Sequence, residues 1–149
     1  MNLQNETLKK KYINTLSQFI KKNDNLYIEC DLLNFKELSL LDNKNNFCKF
    51  YFDLFRELIG RKGTIVTPSF SYSWGNNKKN KTYIVKDTLS ECGIFSNFII
   101  KNTKSIRTYD PMFSLLINGP QKFNLNYKSS FGRDSLYDQM YNKDFKIIH

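Results

Sequence analysis

The chain has 149 residues, a length that fits one domain, and 40% of them are hydrophobic, which is enough for a buried core. No apolar run approaches the ~18 residues of a membrane-spanning helix, and the N-terminus has no apolar signal segment, so we predict a cytoplasmic protein without a membrane partner. The net charge of +9 comes from scattered lysines without a basic helix face, which favours an anionic cofactor over a nucleic-acid partner.

The pattern of the first half predicts helix, strand, helix and strand. Apolar residues at helical spacing predict an amphipathic helix over residues 6–22, with Lys21 and Lys22 in its last turn. Leu26–Cys30 is predicted as a strand, and a second helix follows a polar loop. The apolar face of this second helix consists of Phe47, Phe50, Tyr51, Leu54, Phe55, Leu58 and Ile59. Gly63–Thr67 is the next strand, and one long helix between two short strands predicts a crossover that leaves them adjacent and parallel.

The second half continues the alternation of helices and strands. The predicted elements are a helix over Cys92–Lys101, an extended segment over Ile106–Thr108, a strand over Phe113–Ile117, a helix through Leu136–Tyr141 and a strand over Phe145–Ile148. Asn118-Gly119-Pro120 predicts a turn, and Asp134 is the predicted N-cap of the last helix. The whole pattern predicts an α/β fold, a layered sheet with helices on both faces.

The last predicted strand raises the question of completeness. The sequence ends at His149, directly after Phe145–Ile148, so this strand has no covering helix and no loop beyond it. We therefore expect residues 1–149 to form a single incomplete α/β domain that is truncated after the last strand. A second polypeptide that completes the sheet, or self-association, would cover the strand. The alternative is that this strand is a finished edge strand.

One segment changes character abruptly. Thr64, Ile65 and Val66 are all β-branched and suit a covered strand, and Pro68 cannot continue its hydrogen bonding. The segment Ser69–Ser73 then alternates hydroxyl groups with aromatic rings. Ligands of open α/β sheets bind just beyond the carboxyl ends of strands, so this segment is predicted to form the rim of a site. The alternative is an ordinary exit from a strand into a loop.

The same segment begins a set of family motifs. Gly63 to Ser71 fits Gly-Thr-aliphatic-aliphatic-x-Pro-Ser/Thr-Phe-Ser. The other motifs are Asp24–Leu33 around the first strand, Arg-Thr-Tyr-Asp-Pro-Met-Phe-Ser at Arg107–Ser114 and Phe-Gly-Arg-Asp-Ser at Phe131–Ser135. In this order and spacing they resemble the aminoglycoside 3-N-acetyltransferase family, which uses acetyl-CoA. The resemblance covers nearly the whole chain, and family members continue well past residue 149.

The resemblance implies a set of residues that bind acetyl-CoA along the loops after the first strands. Carried over position by position, they are Asp31, Thr67, Ser69, Phe70, Phe131, Gly132 and Ser135. Hydroxyls and free backbone amides can hold phosphates, and a glycine lets the backbone approach a ligand closely. The alternatives are turn capping for Thr67 and Ser69, and core packing for Phe131.

Three positions depart from the family pattern. Glu29 and Asp110 stand where the family usually has histidines, and Phe113 stands where a further histidine is common. The resemblance places the general base beyond residue 149, and His149 itself aligns with an apolar position. Glu29 and Asp110 are therefore the candidate catalytic residues, as bases or as groups that bind a cationic amine. The alternative is that both face solvent, with Asp110 forming an Asx turn before Pro111.

Taken together, the sequence predicts the N-terminal part of an acetyl-CoA-dependent N-acetyltransferase that acts on an amine of an amino sugar or aminoglycoside. The 149-residue chain alone is expected to be inactive, since the family's base lies outside it. One alternative is a catalytically inactive subunit that binds the cofactor or a partner chain, and another is a basic nucleic-acid-binding module. Cys30, Cys48 and Cys92 are widely spaced and odd in number, so we expect free thiols and no metal site.

Overall fold

The described residues form a five-stranded mixed sheet with helices on both faces. The computed structural model describes residues 3–29, 44–75 and 82–149. The strands are β1 (Leu26–Ile28), β2 (Ile65–Pro68), β3 (Ile106–Arg107), β4 (Leu115–Asn118) and β5 (Lys146–Ile148). The helices are α1 (Leu3–Leu16), α2 (Lys44–Ile59), α3 (Ile94–Asn102) and α4 (Leu136–Tyr141), with a short 3-10 helix at Tyr72–Gly75. The predicted α/β class, with helices on both faces of the sheet, is confirmed.

The strand order is β3-β4-β2-β1-β5. Strand β1 pairs in parallel with β2, with Leu26 opposite Ile65, and the predicted parallel neighbours are therefore confirmed. It also pairs in parallel with β5 on its other side, while β4 runs antiparallel to both β2 and β3. The chain thus leaves β1 towards β2 and later returns to the opposite side of β1. In open α/β sheets, such a change of direction marks the crevice where ligands bind.

Two apolar clusters hold the layers together. Helices α1, α2 and α3 cover one face of the sheet, and α4 covers the other. The apolar face predicted for α2 is buried at every predicted position. On β1, successive side chains point to opposite faces, so Leu26 and Ile28 join the three-helix cluster and Tyr27 joins the α4 cluster. Residues of β1 therefore reach both sides of the sheet. None of the described helices has the length and apolar character to span a membrane.

Helix α1 ends earlier than the sequence predicts. It stops at Leu16, so Lys21 and Lys22 lie beyond its last turn. A turn follows, which leaves Phe19 exposed and carries Ile20 into the core. Burial of Ile20 against the sheet thus overrides the helical spacing that extends through this segment.

The first residues of α3 and α4 also differ from the prediction. The predicted N-cap Asp134 is wrong, because it has a left-handed φ of 63° and precedes the cap. The cap of α4 is Ser135, whose Oγ accepts a hydrogen bond from the backbone N–H of Asp138 at 3.2 Å. Helix α3 begins at Ile94 because Gly93, with a φ of 95°, cannot be helical. No side chain caps α3 at Gly93, so this helix N-terminus is open.

Candidate functional site

Two clefts open at the edge of the sheet where β1, β2 and β5 end. The first, which we call the polar cleft, has a volume of about 690 Å³. It is lined by Ile28, Glu29, Thr67, Pro68, Tyr72, the segment Ser90–Asn97 and His149. The second, the aromatic cleft, has a volume of about 400 Å³. It is lined by Tyr27, Glu29, Phe70, Phe131, Tyr137, Met140, Tyr141, Phe145 and Ile147. Both volumes are within or near the range of small-molecule sites.

Glu29 belongs to both clefts. It follows directly after β1, and its backbone N–H donates to the carbonyl of Ile148 in β5 at 2.9 Å. Burial raises the pKa of Tyr137 to about 12, and the charge of Glu29 contributes to that shift from the aromatic cleft. Burial also raises the pKa of the Cys92 thiol, and Glu29 contributes there from the polar cleft. The exposed carboxylate of Glu29 therefore acts on groups in both clefts.

The polar cleft is acidic, although the chain as a whole is basic. Its lining contains the carboxylates of Glu29 and Glu91, and no lysine or arginine stands among its described residues. Glu91 is held in place because its Oε1 accepts a hydrogen bond from the backbone N–H of Ser73 at 2.9 Å. A cleft with this charge favours a cationic group over an anionic one.

Helix α3 presents its N-terminus to the polar cleft. Asn97 holds the turn before the helix, since its side chain bonds to both the backbone N–H and the carbonyl of Ser90, at 2.9 and 2.8 Å. Ser96 ties the helix to β2 by donating to the carbonyl of Pro68 at 2.7 Å. The positive end of the α3 dipole therefore lies at the same cleft as the carboxylates of Glu29 and Glu91.

Thr67 and Ser69, both predicted to bind the cofactor, differ in their access to the polar cleft. Thr67 lines it, although only 2% of the residue is exposed. Ser69 is fully buried and lines neither cleft. Within the described part of the chain, neither hydroxyl oxygen has a hydrogen-bond partner. The alternative that these hydroxyls cap turns is therefore not supported, and their role in cofactor binding stays a prediction.

Phe70 and Phe131, also predicted to bind the cofactor, come together in the aromatic cleft. The ring of Phe113 lies between them, with centroid distances of 5.4 Å to Phe70 and 4.8 Å to Phe131. Phe131 also stacks on Tyr137 at 5.3 Å. Because Phe131 is 51% exposed, it is not a core residue. Its open face can therefore meet a ligand.

The remaining predicted cofactor residues lie at the start of α4 or outside the described residues. Gly132 has a φ of 83°, and nothing lies within 4 Å of where a Cβ would stand, so a ligand can approach its backbone. The backbone N–H of Ser135 donates to the Gly132 carbonyl at 3.2 Å, while its hydroxyl caps α4. Asp31 lies outside the described residues.

Asp110 occupies a turn rather than a cleft. Its Oδ1 accepts hydrogen bonds from the backbone of Met112 and Phe113, both at 3.0 Å. Its Oδ2 accepts a bond from Ser130 Oγ at 2.5 Å. The bond to Phe113 explains why β4 begins at Leu115 and not at Phe113. Asp110 lines neither the polar nor the aromatic cleft, so the two candidate carboxylates, Glu29 and Asp110, have different surroundings. The Asx turn that the sequence analysis gives as the alternative for Asp110 is present.

Several residues of the site were not singled out from sequence. Tyr137 and Glu91 line the clefts and lie outside the sequence motifs, while Tyr27 lies within the Asp24–Leu33 motif but is not among its candidate site residues. His149 also lines the polar cleft, because β5 pairs with β1 in a register that places Ile148 opposite Ile28. Only that pairing could have revealed it. In the described residues, no group of three or more His, Cys, Asp or Glu side chains converges as metal ligands do.

The chain matches known proteins at the level of family and fold. The family model described as aminoglycoside 3-N-acetyltransferase matches residues 36–149. No curated protein matches the chain. Among solved structures, the YokD protein from Bacillus subtilis has a TM-score of 0.74 at 17% identity, over 93% of this chain and 62% of that one.

Two further solved structures are complexes with a ligand. AAC-IIIb, a binary complex with CoASH, has a TM-score of 0.70 at 12% identity. AAC-VIa, bound to sisomicin, has a TM-score of 0.70 at 14% identity. Each covers 93% of this chain and only 57% of its own. These similarities show the fold, and the chain spans less than two thirds of the length of each solved relative.

Proposed function

We propose that this chain, which belongs to the aminoglycoside 3-N-acetyltransferase family, holds acetyl-CoA and an amine acceptor for N-acetyl transfer. The acceptor is an amine of an amino sugar or aminoglycoside. The observation that carries this proposal is the meeting of an apolar cleft and an acidic cleft at one carboxylate, Glu29. Acyl transfer brings an uncharged thioester and a charged amine to one point, and this arrangement offers each a suitable surface.

The aromatic cleft is the proposed site of the acyl donor. Its walls are mainly rings and aliphatic side chains, which suit the pantetheine arm and the thioester better than they suit a charged group. Phe131 offers an exposed ring face, and Gly132 offers open backbone beside it. The phosphates of the cofactor would gain from the net charge of +9, so we expect binding to weaken as salt rises. The CoASH complex of AAC-IIIb supports a cofactor of this class.

The polar cleft is the proposed site of the acceptor. Glu29 and Glu91 supply the negative charge that an ammonium group requires. Glu29 also borders the aromatic cleft, so it is the described carboxylate best placed to hold the ammonium group of the acceptor beside the acyl donor. Asp110, with both carboxylate oxygens bonded in its turn, is proposed to shape the loop before β4.

We expect residues 1–149 to bind both ligands without transferring the acetyl group, because the family resemblance assigns the general base to a position outside them. Among the described strands, β1 is the one neighbour of β5. On β5, Ile147 is 72% exposed. A second polypeptide that adds a strand at this edge is therefore part of the proposal, with self-association in its absence.

Isothermal titration with two probes tests the function. We expect coenzyme A and sisomicin each to bind, and each to bind in the presence of the other. Glu29→Gln should weaken sisomicin binding and leave coenzyme A binding nearly unchanged. The matched control is Glu6→Gln, which removes the same charge from the exposed surface of α1. No binding of either probe, or equal effects of the two substitutions on sisomicin, would contradict the proposal.

A further inference from the structure

The N-terminus of α3 brings unbonded backbone donors into the polar cleft. The helix has 9 residues, and the backbone N–H groups of Ile94, Phe95 and Ser96 have no hydrogen-bond partner among the described residues. All three residues line the polar cleft. The partial positive charge of a helix N-terminus adds to the effect of these donors, so this part of the cleft suits an anionic group.

The hydroxyl of Thr67 is a second, independent feature at the same place. Side chains alternate along β2, and Ile65 packs into the three-helix cluster while Val66 packs into the α4 cluster, so Thr67 points to the side of the sheet where α3 lies. The bond from Ser96 Oγ to the carbonyl of Pro68 holds the first turn of α3 against the residue that follows Thr67.

The Thr67 side chain is also kept without a partner. Thr67 lines the polar cleft, is only 2% exposed, and its Oγ1 has no hydrogen-bond partner among the described residues. A buried hydroxyl without a partner destabilises a fold, so a ligand that bonds to it would account for its presence. The unbonded hydroxyl and the free N–H groups of α3 therefore form one set of donors at the floor of the cleft.

The carboxylates of the cleft restrict which anion can use these donors. Glu29 and Glu91 line the cleft, and its described lining contains no lysine or arginine. A phosphate dianion, or a molecule that carries only negative charge, would be repelled by these carboxylates. A molecule that brings an ammonium group for the carboxylates and a singly charged carboxylate for the helix N-terminus satisfies both parts of the cleft.

We propose that the acceptor is a zwitterion, an amino sugar that carries a carboxylate. Its ammonium group lies at Glu29 and Glu91, and its carboxylate binds the N-terminus of α3 and the hydroxyl of Thr67. This inference rests on the proposed function, since it names the class of acceptor for the same cleft. It distinguishes the acceptor from an aminoglycoside, which carries ammonium groups and no carboxylate. It also assigns Thr67 to the acceptor and not to the cofactor.

Three amino sugars with the same amine test the carboxylate. Glucosaminuronic acid and its uronamide differ only in the charge of the group at the last carbon of the sugar, and glucosamine-6-phosphate carries a phosphate there. Isothermal titration of the full chain should show tighter binding of the uronic acid than of the uronamide, by about threefold to thirtyfold, the range of a helix terminus acting on a charge. Tighter binding of the phosphate than of the uronic acid would overturn the assignment of a carboxylate.

Thr67→Val tests the hydroxyl, and its removal should not unfold the chain because the hydroxyl has no partner to lose. The preference for the uronic acid over the uronamide should fall by about threefold to tenfold, and Thr67→Ser should retain it. Ser69→Ala is the matched control, since Ser69 Oγ is also buried without a partner but Ser69 lines neither cleft. It should leave the preference unchanged.

The outcomes separate this inference from the proposed function. If the uronic acid and the uronamide bind equally while coenzyme A and sisomicin both bind, the inference is overturned and the proposed function stands. If none of the amines and no coenzyme A binds, both fall. If Thr67→Val weakens coenzyme A binding and leaves the preference intact, Thr67 belongs to the cofactor site and the inference is overturned.

A measurement on the unmodified chain locates the carboxylate. In the chain labelled with nitrogen-15, a carboxylate at the N-terminus of α3 should move the amide proton resonances of Ile94, Phe95 and Ser96 downfield as glucosaminuronic acid is added, and the uronamide should move them less. The N-terminus of α4 is the internal control, because its Asp138 N–H already bonds to Ser135 Oγ and should not respond. Shifts confined to other parts of the chain would show that the carboxylate does not bind α3, and the inference would be wrong.

Discussion

Arg107 and Ser114 donate hydrogen bonds to one and the same atom, the carbonyl oxygen of Ser69, at 2.7 and 2.6 Å. They also bond to each other, since Arg107 Nε donates to Ser114 Oγ at 3.2 Å. The guanidinium further binds the carbonyl of Thr88 and lies over the ring of Tyr83 at 5.1 Å. The spacing of the Arg107–Ser114 motif thus has a structural purpose, because it fixes the loop that leaves β2 at the rim of the polar cleft.

We expect Arg107→Lys to destabilise the chain by about 2–4 kcal/mol, because lysine cannot reproduce several bonds from one planar group and hydrogen bonds to a charged donor are each worth about 1.5–3 kcal/mol. Urea denaturation checks the free energy of unfolding. Arg61→Lys is the control, since Arg61 is exposed and should tolerate the change. If both variants unfold at the same urea concentration as the wild type, the hydrogen bonds of Arg107 do not stabilise the loop after β2.

The sequence predicts the sheet better than the site because the two depend on different information. The parallel pairing of β1 with β2 follows from local patterns, two short apolar strands around the strongly periodic helix α2. The clefts depend on where α4 and β5 dock, and no local pattern states that β5 lies beside β1. The family resemblance could single out Glu29, which stands where the family usually has a histidine, but neither that resemblance nor a local pattern points to Tyr137 or Glu91. Asp110 illustrates the opposite case, since the Asx turn is local and can be anticipated.

Ser135→Ala should lower the free energy of unfolding by about 1 kcal/mol, because Ser135 Oγ caps the N-terminus of α4. Ser129→Ala serves as the control, since Ser129 is exposed and lies in the preceding loop. Thermal unfolding followed by circular dichroism gives the comparison. If Ser135→Ala weakens coenzyme A binding but leaves the melting temperature unchanged, the hydroxyl contacts the ligand and the cap is unimportant.

Thr67→Val should leave the free energy of unfolding unchanged or raise it. The Thr67 hydroxyl is buried without a partner among the described residues, and a buried polar group without a bond costs about 1–3 kcal/mol. Thr88→Val is the contrasting variant, because Thr88 Oγ1 accepts a bond from the Ile84 N–H at 2.8 Å and its removal should destabilise the chain. Both are measured by urea unfolding. Clear destabilisation by Thr67→Val would indicate that the Thr67 hydroxyl has a hydrogen-bond partner in the folded chain.

The ion pair between Asp24 and Lys146 predicts a pH effect. Burial works to raise the pKa of Asp24, but bonds from Lys146 Nζ and the Lys21 backbone N–H, both at 2.6 Å, outweigh it and leave the pKa below its ordinary value of 3.8. A carboxyl with a lowered pKa stabilises the fold above its unfolded pKa, and this contribution disappears as the pH falls through the folded value.

Asp24→Asn should therefore lower stability at neutral pH by up to about 1 kcal/mol, and the difference from the wild type should vanish as the pH falls below 3.8. Urea unfolding across a pH series measures it. Asp53→Asn provides the comparison, since the Asp53–Lys49 pair lies on the exposed surface of α2 and should matter less. A difference between Asp24→Asn and the wild type that persists unchanged in strong acid would rule out the titration of Asp24 as its cause.

The two edges of the sheet predict different behaviour in solution. Among the described strands, β5 forms one edge of the sheet and carries Ile147, which is 72% exposed, while β3 forms the other and carries Ile106, which is 58% exposed. Unpaired edge strands with apolar side chains favour pairing with another strand, and a lysine on such a strand disfavours it.

If a further strand adds at β5, residues 1–149 should self-associate as their concentration rises. Ile147→Lys should then shift the equilibrium towards the monomer, and Ile106→Lys should have little effect. Sedimentation velocity over a range of concentrations measures this. Equal effects of the two substitutions, or a wild-type chain that stays monomeric throughout, would show that the β5 edge is not a site of strand addition.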